Sequence, residues 1–275
     1  MFPGFDVHAV TNGVHVGTWA HPAFAALYHS HYPQWMHEPE VLVRADHLPD
    51  GELWSAHEKA KIDLCHFVRE HTGVSFDPNI PVIGFARRMT GYKRPDLIFS
   101  DLERLAAIAE KHPFQLVLSG KAHPADNAGK GSIHAIHKAM RELSGRVPVA
   151  FLGNYDMSIA KVLVSGADVW LNTPLPPLEA SGTSGMKAAV NGILNMSTLD
   201  GWWVEGCLEG VTGWCIEDAT DAGPLYHKLQ DVVLPLYYND RGRWIFMMKQ
   251  AISKIACYFN SHRMMRRYAA EAYLR

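Results

Sequence analysis

The sequence has little of what marks secreted, membrane-bound or nucleic-acid-binding chains. Its 275 residues hold four cysteines, Cys65, Cys207, Cys215 and Cys257, scattered without a Cys-x-x-Cys pair or a close Cys/His set. A reduced, cytoplasmic protein is therefore expected rather than a disulfide-stapled one. No run reaches the roughly 18 apolar residues of a membrane span, and Met1-Phe2-Pro3-Gly4 has neither the basic flank nor the apolar core of a signal peptide. The formal net charge is only -2, which gives no general field for nucleic acid or anionic lipid, so any anion site must be built locally. His134 and His137 share a helix face but have no third ligand near, and no metal is expected.

What is present is a large apolar content, 48% hydrophobic against 20% charged, enough for one big or two modest domains. Residues 22–71 carry helical spacing in two runs, one through Phe24, Leu27 and Tyr28, the other through Leu53, Ala56, Ala60, Leu64 and Phe67, with Asp50 as the expected cap between them. A βα rhythm follows. Strands are predicted at 82–86, 114–119, 147–152, 168–172, 193–198 and 213–216, and helices at 95–111, 128–143 and 158–165. Apolar strands alternating with helices predict an α/β fold with a doubly wound parallel sheet, whose ligands lie outside the strands' carboxyl ends. Beyond residue 218 the pattern predicts an amphipathic helix through Leu225, Leu229, Val232, Val233 and Leu236, then one long helix over 244–273, with Arg263, Arg266 and Arg267 near its end as solvated or helix-terminal charges. One unit over 1–275 results: a helical lead-in (1–80), a βα core (81–217) and C-terminal helices (218–275).

Two stretches at predicted strand ends carry chemistry. Glu179-Ala180-Ser181-Gly182-Thr183-Ser184-Gly185-Met186-Lys187 runs small residues into a helix, where backbone N–H groups and hydroxyls converge on an anion with an amine beside it. Arg87-Arg88-Met89-Thr90-Gly91-Tyr92-Lys93-Arg94 puts four cations in eight residues directly after the first strand, where arginine forks and a lysine point charge suit phosphate oxygens. Asn12, in Thr11-Asn12-Gly13, either turns the chain or binds a hydroxyl through its amide.

The run from Leu178 to Gly192, followed by Ser197-Thr198-Leu199-Asp200-Gly201, closely resembles the pyridoxal-phosphate segment of the α-glucan (glycogen, starch and maltodextrin) phosphorylases. Thr11-Asn12-Gly13, Arg88 with Tyr92-Lys93-Arg94, Gly120-Lys121-Ala122 and Phe151-Leu152-Gly153-Asn154-Tyr155 support it in the family's order, and Thr18-Trp19 and Gly201-Trp202-Trp203 look most like its bacterial and archaeal branch. The resemblance implies a Rossmann-like C-terminal domain of the GT-B type and phosphorolysis of α-1,4-glucan to glucose 1-phosphate. It also implies that Lys187 holds pyridoxal 5'-phosphate as a Schiff base, with Gly182, Thr183, Ser184 and Arg87 around the cofactor phosphate. Arg88 and Lys93 match the cations on the reacting phosphate, and Asn12, Tyr92, Glu179, Ser181 and Gly182 the contacts to the transferred glucose. In this family the cofactor's phosphate is thought to relay a proton.

The departures bear on function. Family members carry a large domain ahead of the Thr-Asn-Gly motif, which supplies the other wall of the cleft, so a missing N-terminal domain or a complementary chain is the expected partner. The family's His-Glu before Tyr-Lys-Arg is Thr90-Gly91 here. Two other functions fit the residues: a nucleotide-sugar glucosyltransferase of the glycogen or starch synthase kind, which has no need of Lys187, and a non-catalytic glucan-binding remnant.

Overall fold

The computed structural model describes residues 8–217 and 221–274; the Met1–Gly4 stretch and the expected boundary at residue 218 lie outside them. Six strands form one sheet: β1 (Val82–Arg88), β2 (Gln115–Lys121), β3 (Val149–Leu152), β4 (Val169–Asn172), β5 (Leu194–Thr198) and β6 (Gly213–Ile216). Their order is β3-β2-β1-β4-β5-β6 and every neighbouring pair is parallel. The chain winds outward from β1 to β3, crosses back to β4 and winds outward the other way. The reversal lies between β1 and β4, the switch point at which open α/β sheets hold ligands. Helices cover both faces, so strand residues are buried almost without alternation.

The lead-in consists of α1 (Val16–Trp19), α2 (Pro22–His31), a 3₁₀ segment (Pro39–His47) and α3 (Asp50–Thr72). α3 buries Leu53, Ala56, Ala60, Leu64 and Val68 on one face and ends at Gly73 with φ 74°, a left-handed cap open to glycine. The crossover helices α4 (Leu102–Lys111), α5 (Asn127–Glu142) and α6 (Met157–Gly166) each start on an aspartate, Asp101, Asp126 and Asp156, whose carboxylate accepts the N–H three residues on. Then come α7 (Ser184–Ala189), α8 (Trp203–Gly206), α9 (Gly223–Lys228), α10 (Leu234–Asn239), α11 (Arg241–Gln250) and α12 (Ser261–Tyr268).

Four sequence expectations need correction. Asp50 is the first residue of α3 rather than its cap, which is Pro49, and its carboxylate pairs with Lys249. The helix expected over 95–111 breaks into a 3₁₀ turn (Leu97–Phe99) and α4, because Asp101 turns its carboxylate onto the Arg104 N–H. The long helix expected over 244–273 stops after Ala256. There the Val14 N–H donates to the Phe259 carbonyl, the Ser261 N–H donates to the Val14 carbonyl, and Asn260 restarts the helix as its cap. Arg263 is no solvated charge: it donates to the carbonyls of Thr11 and Asn12, at 2.8 Å each, and of Tyr258. Arg266 and Arg267 are exposed, but pair with Glu40 and Glu271.

At the amino edge of the sheet lies a buried charge cluster. Asp168, directly before β4, accepts from the Val82 N–H (2.7 Å), the His57 ring (2.8 Å) and the Lys61 ammonium (2.8 Å), while its own N–H donates to the Val82 carbonyl. Burial alone would raise the Asp168 pKa; Lys61 and His57 outweigh it and hold it at about 2. Lys61 also donates to the Tyr237 hydroxyl, tying α3, the β1–β4 pair and α10 together.

Candidate functional site

The site grows from the carboxyl ends of β1 and β4. Both faces of β1 are covered along its length, and burial ends only at its last residue: Arg87 is 8% exposed whereas Arg88 faces solvent. Past β1 the chain makes a 3₁₀ turn (Gly91–Lys93) that brings Lys93 back inside, 6% exposed. That turn is sewn to the loop after β4: the Leu175 N–H donates to the Tyr92 carbonyl, and the Thr173 hydroxyl reaches the Lys93 and Arg94 carbonyls. Arg94 in turn donates to the Thr173 carbonyl.

Glu179 is the meeting point. Its Oε2 accepts from Arg87 Nη2 at 2.5 Å and from Lys93 Nζ at 2.7 Å. Burial would raise the carboxyl's pKa, but the Arg87 and Lys93 charges prevail and lower it. The loop carrying Glu179 is fixed from behind, since Asp200 accepts both the Glu179 and the Gly201 N–H at 2.8 Å, and the Trp202 N–H donates to the Ser181 carbonyl. Gly182 has φ +72°, and a Cβ there would sit 3.4 Å from Arg87 Nη2, so only glycine brings the backbone this close to the guanidinium without strain. Arg87 Nη1 is buried without a hydrogen-bond partner, a donor left over in the middle of the cluster.

Thr183 precedes α7 and its carbonyl accepts the Lys187 N–H. The Ser184 hydroxyl is already engaged, accepting from the Trp170 indole at 3.0 Å and facing Asn172 Oδ1. Lys187 is half-buried in α7, with Nζ 3.9 Å from the centroid of the Trp19 ring and, among the described residues, no ion pair. Burial lowers its pKa from the ordinary lysine value. Asn191 sets this contact: it accepts the His21 N–H and donates to the Trp19 carbonyl, locking the lead-in onto the end of α7.

The structure thus brings Arg87, Lys93, Glu179, Ser181, Gly182 and Ser184 together, with Tyr92 under the Lys93 ammonium at 4.7 Å. It does not bring Arg88 into that cluster; the side chain is exposed and, among the described residues, unpaired. Asn12 is exposed and reaches the same corner only through its neighbour, for the Thr11 hydroxyl donates to Glu205 of α8 at 2.7 Å. Trp19, Tyr155, Asn172, Asp200 and Trp202 belong to the site without having been assigned to it from sequence. Tyr155 lies close enough to Arg87 for the guanidinium to lower its pKa against a larger upward effect of burial, and Asn172 and Trp202 line the same small cavity as Glu179. The strand-end rule was enough to find Asn172, but nothing local to Trp19 reveals its contact with a lysine far along the chain.

Comparisons with known proteins bear on this geometry. The maltodextrin phosphorylase of Thermococcus litoralis is 40% identical over a match covering 97% of this chain and 36% of that protein. The glycogen phosphorylase of Aquifex aeolicus is 41% identical, over 96% of this chain and 43% of its own length, and that of Mycobacterium tuberculosis is 37% identical, over 99% and 36%. The chain therefore spans less than half the length of each of these relatives. A family profile described as carbohydrate phosphorylase matches residues 5–210, a span that holds β1 to β5 and every site residue named above. With that match over most of its length, the chain belongs to the carbohydrate phosphorylase family.

Proposed function

We propose that this chain forms the cofactor-holding part of an α-1,4-glucan phosphorylase, which cleaves glucan with inorganic phosphate to give glucose 1-phosphate. The observation that carries this is Lys187: a half-buried amine over the Trp19 ring, with no ion pair among the described residues and a lowered pKa, at the helix that follows a cation-lined strand-end loop. Such an amine favours phosphorolysis over transfer from a nucleotide sugar, which has no use for it.

The residues fit pyridoxal phosphate. Lys187 would hold it, the first-turn N–H groups of α7 have no intrahelical partner to lose, and the free, buried Arg87 Nη1 offers a further donor to its phosphate. Bound there, the cofactor's phosphate would supply an acid–base group beside the reacting phosphate. The chain's own groups do the rest. Lys93 and Arg88 bind the reacting phosphate, and Glu179, Ser181, Gly182, Tyr92 and Asn12 orient the glucose by directional hydrogen bonds. Before phosphate arrives, Glu179 neutralises Arg87 and Lys93, so phosphate entry exchanges one anion for another rather than uncovering bare buried cations. The second wall of the cleft would come from the length the relatives have beyond this match, as a further domain or a second chain; Leu175, Leu178 and Leu199, exposed on the loops after β4 and β5, and Val204, exposed on α8, give it an apolar rim to cover.

The test is incubation with pyridoxal phosphate, borohydride reduction and peptide mapping over a range of pH. A label on Lys187, lost in Lys187→Ala and half-maximal at lower pH than free lysine, is expected. A label that persists in Lys187→Ala would overturn the assignment.

A further inference from the structure

We propose that Arg263 is a positioning residue for the sugar end of the site, acting through Asn12. This rests on the proposal that Asn12 contacts the transferred glucose. Arg263 lies outside the span matched by the family profile and 251 residues from Asn12, yet its guanidinium closes on the backbone there: Nη1 donates to the Thr11 carbonyl and Nη2 to the Asn12 carbonyl, both at 2.8 Å. Its third donor, Nε, holds the Tyr258 carbonyl at 2.9 Å, and the group lies 4.6 Å from the centroid of the Tyr258 ring. A planar fork with three engaged edges fixes direction as well as distance, which a lysine cannot do.

The segment that carries Arg263 is itself tied to the Glu179 loop through Trp202 and the helix that Trp202 caps. Val14 bridges Asn260, and Gly13 packs so tightly there that a Cβ would come within 2.3 Å of the Asn260 carbonyl oxygen. The adjoining Phe259 ring meets Trp202 edge-on at 5.1 Å, and the Trp202 N–H donates to the Ser181 carbonyl. On the other side the Thr11 hydroxyl donates to Glu205, on the helix that begins just after Trp202. Thr11–Gly13 is thus held between α12 and α8 against the corner that carries Ser181. The Asn12 side chain itself is not secured: it is exposed and, among the described residues, accepts only the following N–H, at 3.3 Å. The geometry makes the C-terminal segment the part that sets where the Asn12 amide stands.

The experiment measures binding of glucose 1-phosphate and of inorganic phosphate to this chain loaded with pyridoxal phosphate, in the parent, Asn12→Ala, Arg263→Ala, Arg263→Lys and, as a control on the same helix, Arg266→Ala. Arg263→Ala is expected to weaken glucose 1-phosphate up to about tenfold, the order expected when the Asn12 amide loses its hydrogen bond to the sugar. Arg263→Lys should fall between it and the parent. Inorganic phosphate affinity, Lys187 labelling and the Arg266→Ala values should stay at the parent level. A purely structural role would instead weaken both ligands together, and that result overturns the proposal. Asn12→Ala weakened with Arg263→Ala unchanged overturns the clasp alone. A parent that does not bind glucose 1-phosphate, or an Asn12→Ala that binds it like the parent, overturns the sugar role of Asn12 and the clasp with it.

Discussion

At the scale of single residues, one carboxylate decides how the cations are presented. Glu179 holds two of them, Arg87 and Lys93, in a place with little water, so an incoming phosphate competes with it for the same donors. Glu179→Gln removes the competitor's charge while keeping its shape. Inorganic phosphate is expected to bind about tenfold more tightly in that variant, because the competitor's hydrogen bonds change from charge-assisted to neutral, a difference of about 1.4 kcal/mol. Unchanged affinity by calorimetry would mean that Glu179 does not share its partners with phosphate. Both motifs that supply these residues were legible in the sequence, but the pairing between them was not. Arg87 and Arg88 are neighbours in the chain and look alike there; what packs around the carboxyl end of β1 makes one buried and the other exposed.

At the scale of elements, the site is made of loops that are stiff because each is bonded to another. The 199–202 turn and the 179–182 loop meet at Gly201, whose φ is +55° and where a Cβ would lie 2.3 Å from the Ser181 carbonyl oxygen and 2.9 Å from that of Glu179. Gly201→Ala is therefore expected to cost about 2 kcal/mol or more in stability, from left-handed strain and the displaced contact together. It should also weaken phosphate binding, since Glu179 moves with its loop. A denaturant midpoint within error of the parent would show that the two loops part without cost. Strand positions were read correctly because buried parallel strands are short, apolar and bounded by turn signals. The helix after Ala256 was misread because apolar periodicity continues through it; what stops it is Val14, a residue far away in sequence.

At the scale of the whole molecule, the buried cluster around Asp168 joins the lead-in, the sheet and the C-terminal helices. Removing its charge leaves Lys61 buried without its carboxylate, and Asp168→Asn is expected to destabilise the fold by about 3–5 kcal/mol. The acid limb follows from the depressed carboxyl pKa of about 2. A depressed acid stabilises the fold fully above its unfolded value, and the stabilisation is lost as pH falls from near 4 towards 2. Acid unfolding followed by circular dichroism should therefore shift to higher pH in Asp168→Asn, and an unshifted midpoint would place the weak point elsewhere.

The sequence by itself determined the fold class, the family and the two strand-end motifs, because strand burial, turn chemistry and an anion-binding loop are local properties written in consecutive residues. Tertiary structure decided what those motifs do to one another. Trp19 over Lys187, Glu179 between Arg87 and Lys93, Arg263 on Asn12 and Asp168 between His57 and Lys61 are all contacts between segments far apart in the chain. Each depends on how the sheet and its helices close around a shared core, and no local pattern of residues encodes that closure.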